Sequence, residues 1–133
     1  MNAQVLSQSF QAIKPQSMAF AQRFYDKLFE KSAEVRQLFA STNMQEQCRA
    51  LVAALAFVVV GVTENKDIRE DLTSLGARHK SYGVKPAHYA LVGESLIETL
   101  REYFGSQWTQ EMETTWIDAY EVVSSIMKVA PEP

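Results

Sequence analysis

Apolar residues in this chain recur every three to four positions from end to end, and the alternation of a β-strand is scarce. The spacing predicts a first helix over about residues 3–14, with Leu6, Phe10 and Ile13 inward and Pro15 ending it. A second, over about residues 17–31, carries Phe20, Phe24, Tyr25, Leu28 and Phe29. A short helical turn is expected over residues 35–39, followed by the polar stretch Ala40, Ser41, Thr42 and Asn43. The next helix, about residues 44–62, is apolar on nearly every face after Leu51, which marks it as central.

A helix beginning near Lys66 puts Ile68, Leu72, Leu75 and His79 on one face. Arg78, His79 and Lys80 fall in its last turn, where positive charge suits the helix dipole, and Gly83 is a natural stop. Pro86 is expected to open a long helix with Tyr89, Val92, Leu96, Leu100 and Phe104 inward, ending at Gly105. Thr109 caps a last helix whose stripe is Met112, Trp116, Ala119, Tyr120, Val123 and Met127, and which stops before Pro131. No repeat or linker interrupts the pattern. The expectation is an all-α fold of six to seven helices in a single domain over residues 1–133.

Composition narrows the function classes. A chain of 133 residues with 47% hydrophobic residues can bury a real core. A net charge of -3 without a block of like charges gives no reason to expect nucleic acid or an anionic membrane as partner. The longest apolar run, residues 51–62, is too short to cross a bilayer. No signal peptide is visible, and a lone cysteine, Cys48, excludes an internal disulfide, so a cytoplasmic protein is expected. Cys48 itself reads as a small buried hydrophobe.

His79 is the residue that bears on function. An imidazole at the end of an apolar stripe is either a satisfied core residue or a ligand to something bound there. A helical domain of this size can hold a flat apolar cofactor between helices. Haem would need a neutral imidazole on one side, a second group holding that ring's other nitrogen, and apolar walls. Gln47, Leu51, Ala54 and Val58 share one helical face, a polar residue followed by an apolar wall.

Several segments resemble the bacterial single-domain globins and the haem domain of flavohaemoglobins. F-Y-D-K-L-F from Phe24 is similar to the family's second-helix motif, whose tyrosine points into the ligand pocket. Phe39 matches the phenylalanine that wedges against the haem, and Q-C-R-A-L from Gln47 looks like the distal helix. L-G-A-R-H-K-S-Y-G-V-K-P from Leu75 resembles the proximal signature, with His79 on the iron-ligating histidine. P-A-H-Y-A-L-V-G places Tyr89 on the tyrosine bordering that imidazole, and W-I-D-A-Y from Trp116 matches the last helix.

The resemblance implies a globin fold around haem b, with His79 as iron ligand and Tyr25 and Gln47 as hydrogen-bond donors to bound oxygen or another diatomic ligand. It also implies cofactor contacts from Phe39, Leu51, Leu75, Val84, Tyr89 and Val92, and a hydrogen bond from the Tyr89 hydroxyl to His79. His88 is expected to be exposed in the first turn of its helix. Arg78 and Lys80 are expected to be solvated surface charge, although both lie within reach of haem propionates.

Two departures from the family matter. Flavohaemoglobins carry a glutamate late in the last helix that completes a charged triad with the proximal histidine and tyrosine. Pro131 stands at that place here, with Glu132 beyond the helix stop. These 133 residues leave no room for a reductase domain, so a separate reductase is expected. Reversible ligand binding (oxygen storage, transport or scavenging) is the leading expectation. Nitric-oxide dioxygenation with an external reductant, a haem-based gas sensor and a haem-free interaction module are the alternatives.

Overall fold

A computed structural model describes residues 1–131. Among them are seven α-helices: α1 (Ala3–Ile13), α2 (Ser17–Lys31), α3 (Ala33–Leu38), α4 (Met44–Thr63), α5 (Arg69–Ser81), α6 (His88–Phe104) and α7 (Gln110–Lys128). Turns of 3₁₀-helix lie at Lys14–Gln16, where Pro15 stops α1, and at Gly105–Gln107. Short polar side chains start four of the helices. Asn2, Ser32, Asn43 and Thr109 each accept the backbone N–H three residues on, closing an otherwise orphaned donor. Gly83 and Gly105 follow α5 and α6 with positive φ of 92° and 55°, which L side chains rarely adopt.

Two helix starts differ from expectation. α5 begins at Arg69 rather than near Lys66 because α4 ends in a Schellman turn. Asn65 takes φ 53°, Lys66 donates its N–H to the Gly61 carbonyl at 2.8 Å, and Asn65 donates to Val62. Those bonds commit residues 64–66 to the end of α4. α6 begins at His88, so Pro86 is not its first residue. Pro86 sits in the turn before it, where His88 and Tyr89 donate back to the carbonyls of Lys85 and Pro86.

The main core joins α1, α2, α6 and α7 through Leu6, Phe10, Ile13, Phe20, Phe24, Leu28, Leu100 and Trp116, all nearly fully buried. Each such side chain stabilises the fold by about 1.5–3 kcal/mol relative to exposure. A smaller cluster gathers Leu72, Tyr89 and Met127 between α5, α6 and α7. Here the helices cross closely. A Cβ on Gly76 would lie 2.4 Å from the Met127 carbonyl oxygen, so only glycine lets α5 and α7 approach to this distance.

α4 is apolar on nearly every face, but the central position expected from this does not bury all of them. Phe57 and Val60 are 44% and 42% exposed, and Cys48, Val59 and Gly61 are its buried residues. α4 packs on α1 and α2 and turns a third face toward a cavity, which leaves its outer stripe to solvent. Taken whole, α4 is long and apolar enough to cross a membrane by length and composition, unlike the shorter apolar run within it.

Candidate functional site

Between the two core clusters lies an apolar cavity of about 210 Å³, walled by α2, α3, α4, α5, α6 and α7. Nine residues singled out from the sequence line it together: Tyr25, Phe39, Gln47, Leu51, Leu75, His79, Val84, Tyr89 and Val92. Ala54 lines it as well. Val58, one turn further along the same face of α4, instead borders a separate apolar cavity of about 110 Å³.

His79 reaches the cavity from the last turn of α5. Its Nδ1 lies 2.8 Å from the Leu75 carbonyl oxygen one turn back. A carbonyl only accepts, so Nδ1 carries the proton and Nε2 keeps its lone pair. Burial holds the imidazole below the ordinary histidine value. The Leu75 bond pulls the other way, and Arg78 adds to the depression. The ring is therefore a neutral nitrogen donor at physiological pH.

Tyr89 does not supply the hydrogen bond to His79 that the resemblance implies. Among the described residues no hydrogen bond joins the two, and the Leu75 carbonyl holds the position instead. Tyr89 packs with Leu72 and Met127. Its carbonyl accepts the Tyr120 hydroxyl at 2.6 Å, and the Lys128 ammonium lies 5.9 Å from its ring centroid. A cation thus stands over this tyrosine's ring. Glu132 lies outside the described residues.

α2 and α4 bring the cavity's second polar pair together. Gln47 Nε2 donates to the Tyr25 hydroxyl oxygen at 2.9 Å. Tyr25 is 4% exposed. Burial pushes its hydroxyl up to about 12, while the Gln47 bond acts in the opposite direction. The ring is fixed by aromatic neighbours on three sides, with centroids 4.9 Å away at Phe24, 5.7 Å at Phe29 and 5.6 Å at Phe39. Since the Tyr25 oxygen accepts from Gln47, its own proton is left to donate to a molecule in the cavity.

Two expectations of exposure need correction. His88 is not exposed but 6% accessible and lines the cavity. Its Nδ1 accepts the Lys85 N–H at 3.0 Å and its Nε2 donates to Glu34 Oε1 at 3.1 Å. The helical pattern of α6 carries no signal for this, because the partner comes from α3, 54 residues away. Lys80 is half-buried and donates to the Ala130 carbonyl just past α7, which ties it to the end of the last helix and away from bulk solvent. Arg78 is exposed, as expected. Cys48 is buried, and burial raises its thiol pKa.

Residues 22–127 match the globin family model. The chain belongs to the globin family. This globin is 31% identical to the Bacillus subtilis flavohemoprotein over 106 residues and 31% identical to that of Vibrio cholerae over 104 residues. Each alignment takes in 77% of this chain and 26% of the relative, so the chain spans about a quarter of the length of the curated relatives it matches. Its fold is that of a Pseudomonas aeruginosa protein described as structurally highly homologous to a human hemoglobin. The two superpose with TM-score 0.85 at 23% identity over 98% of each chain. A bacterial globin from Campylobacter jejuni matches with TM-score 0.81 at 20% identity, over 95% of this chain and 91% of the other.

Proposed function

We propose that this globin holds haem b in the α2–α7 cavity and reversibly binds oxygen or a related diatomic ligand there. The observation that carries the reading is the donor set. The cavity contains one neutral imidazole with a free Nε2, one tyrosine–glutamine pair with a free hydroxyl proton, and otherwise mainly apolar walls. Among the described residues no three His, Cys, Asp or Glu side chains converge to hold a bare metal ion. A metal bound through His79 must therefore bring most of its ligands with it, as haem iron does. When bound, the haem would supply an iron able to take a diatomic ligand.

The protein's own contributions follow from position. The Leu75 carbonyl fixes the His79 tautomer and ring orientation, so Nε2 is the coordinating atom. Phe39, Leu51, Leu75, Val84, Tyr89 and Val92 exclude water from the cofactor faces. Tyr25 donates to the bound ligand in a low-dielectric setting, and Gln47 holds Tyr25 in place. No carboxylate among the described residues bonds His79 or Tyr89, and the cation of Lys128 stands over the Tyr89 ring. That surrounding supports a neutral histidine suited to holding a ligand rather than to driving its oxidative chemistry. A reductase partner and a cytoplasmic location belong to the same proposal. The relatives' printed name joins a flavin to a haem, and the buried Cys48 thiol suits a reducing compartment.

Reconstitution with haem followed by absorption spectroscopy of the ferric, ferrous and carbon-monoxide-treated protein tests the reading. A Soret band is expected, with stable iron ligation lost in His79→Ala. No Soret band after reconstitution overturns it. Nitric oxide consumption with a supplied reductant is expected to be no faster than a single stoichiometric oxidation of the ferrous-oxygen form. Sustained fast turnover would move the protein to the enzymatic class.

A further inference from the structure

His88 also lines the cavity wall, and both of its ring nitrogens are engaged. Nδ1 accepts the backbone N–H of Lys85, and Nε2 donates to Glu34 Oε1. Lys85 Nζ reaches the same carboxylate oxygen at 2.8 Å. The three residues form a seam running from the surface, where Glu34 and Lys85 are exposed, to the cavity, which His88 lines.

The seam joins two segments that share no other described hydrogen bond. α3 has α2 as its helix neighbour, and the 82–87 loop links the His79 helix to the Tyr89 helix. One turn along α3 from Glu34, Leu38 closes on the same loop. A Cβ on Gly83 would lie 3.3 Å from Leu38 Cδ2. Val35, Leu38 and Phe39 on one side and Val84 and His88 on the other all line the cavity, so this seam is part of its wall.

We infer that His88 is a positioning residue. With Glu34 and Lys85 it latches α3 to the loop between α5 and α6 and so sets how fast the cavity releases the group it holds. The inference rests on the haem reading above. It assigns His88 no contact with the diatomic ligand, since Tyr25 and Gln47 reach the cavity from other elements. Opening the seam separates the Phe39 wall from the Val84 wall. Closing it requires one tautomer, Nε2–H, because the Lys85 N–H demands an acceptor at Nδ1.

The test follows transfer of ferric haem from the loaded protein to an excess of apomyoglobin. His88→Ala and Glu34→Ala are each expected to speed haem loss about tenfold or more. The double variant is expected to be no faster than the faster single one. Asn places an acceptor near Nδ1 and Gln a donor near Nε2, so His88→Asn and His88→Gln should each restore part of the retention. Oxygen dissociation should stay within about twofold of wild type in all five. In the haem-free protein, amide exchange should show the Lys85 N–H losing protection in His88→Ala and keeping it in His88→Asn. Glu34 is exposed, so its variant tests the latch even if His88→Ala fails to fold.

Wild-type haem loss rates in both Glu34→Ala and His88→Gln would overturn the latch while leaving the haem reading intact. A wild-type protein that takes up no haem overturns the functional reading and the retention role with it. An additive double variant would reduce His88 to a packing residue and likewise overturn the inference.

Discussion

The side-chain amide of Gln47 donates to the hydroxyl oxygen of Tyr25 across 2.9 Å, joining α4 to α2 inside the cavity. The bond uses a lone pair of the hydroxyl and leaves its proton free, which makes Tyr25 the direct donor and Gln47 its holder. A net hydrogen bond of about 1–2 kcal/mol corresponds to a rate factor of roughly 5–30. Tyr25→Phe is expected to raise the oxygen dissociation rate by about that factor, and Gln47→Leu by less. Stopped-flow displacement of oxygen by carbon monoxide measures both. An unchanged rate in Tyr25→Phe would remove the tyrosine from its proposed role.

The same burial makes Tyr25 an alkaline stability marker. An unfolded tyrosine ionises near 10, whereas Tyr25 keeps its proton to about 12. Above pH 10 the unfolded chain therefore binds fewer protons than the folded one, and stability falls as pH rises from about 10 to 12. The full contribution is about 2–3 kcal/mol. Urea unfolding between pH 9 and 11.5 should show wild type losing more stability than Tyr25→Phe. Parallel pH profiles would contradict the assignment.

On the opposite side, the Leu75 carbonyl and not the Tyr89 hydroxyl holds His79. Tyr89→Phe should accordingly leave the iron–histidine stretching band of the ferrous, haem-loaded protein where it is in wild type. A displaced band in the resonance Raman spectrum would mean that the hydroxyl reaches the imidazole after all.

Gly76 sets the distance between the helix that carries His79 and the last helix. A methyl group there would meet the Met127 carbonyl oxygen at 2.4 Å, against backbone that has no side chain to swing away. Gly76→Ala should cost about 1–3 kcal/mol and lower Tm by several degrees. Thermal unfolding of the haem-free protein reads this without involving the cofactor. An unchanged Tm would show that the crossing is looser than described.

The helices were legible because each carries its own signals. Asn2, Asn43 and Thr109 cap, Pro15 and Gly105 stop, and the apolar stripes repeat at helical spacing whatever they pack against. The late start of α5 was less legible. Asn65 and Lys66 close α4 through bonds to Val62 and Gly61, and nothing in their identity distinguishes that turn from the first turn of a new helix. The nine cavity residues could be named in advance because Tyr25, Gln47, His79 and their neighbours sit in segments that resemble a known family. Periodicity alone placed His79 on an apolar face and left open what it does there.

By itself, the sequence determined an all-α chain, the facing of its helices and an imidazole at the end of a buried stripe, since all of these depend on interactions within about one helical turn. The tertiary structure decided what each polar group meets. His79 takes a carbonyl of its own helix and not the hydroxyl of Tyr89. Tyr25 takes Gln47 from 22 residues away, and His88 is drawn inward by Glu34 from 54 residues away. Burial removes water as a partner, so each of these groups must find one wherever the packing of distant helices brings it. A one-dimensional pattern specifies which face turns inward, but not what waits on the other side.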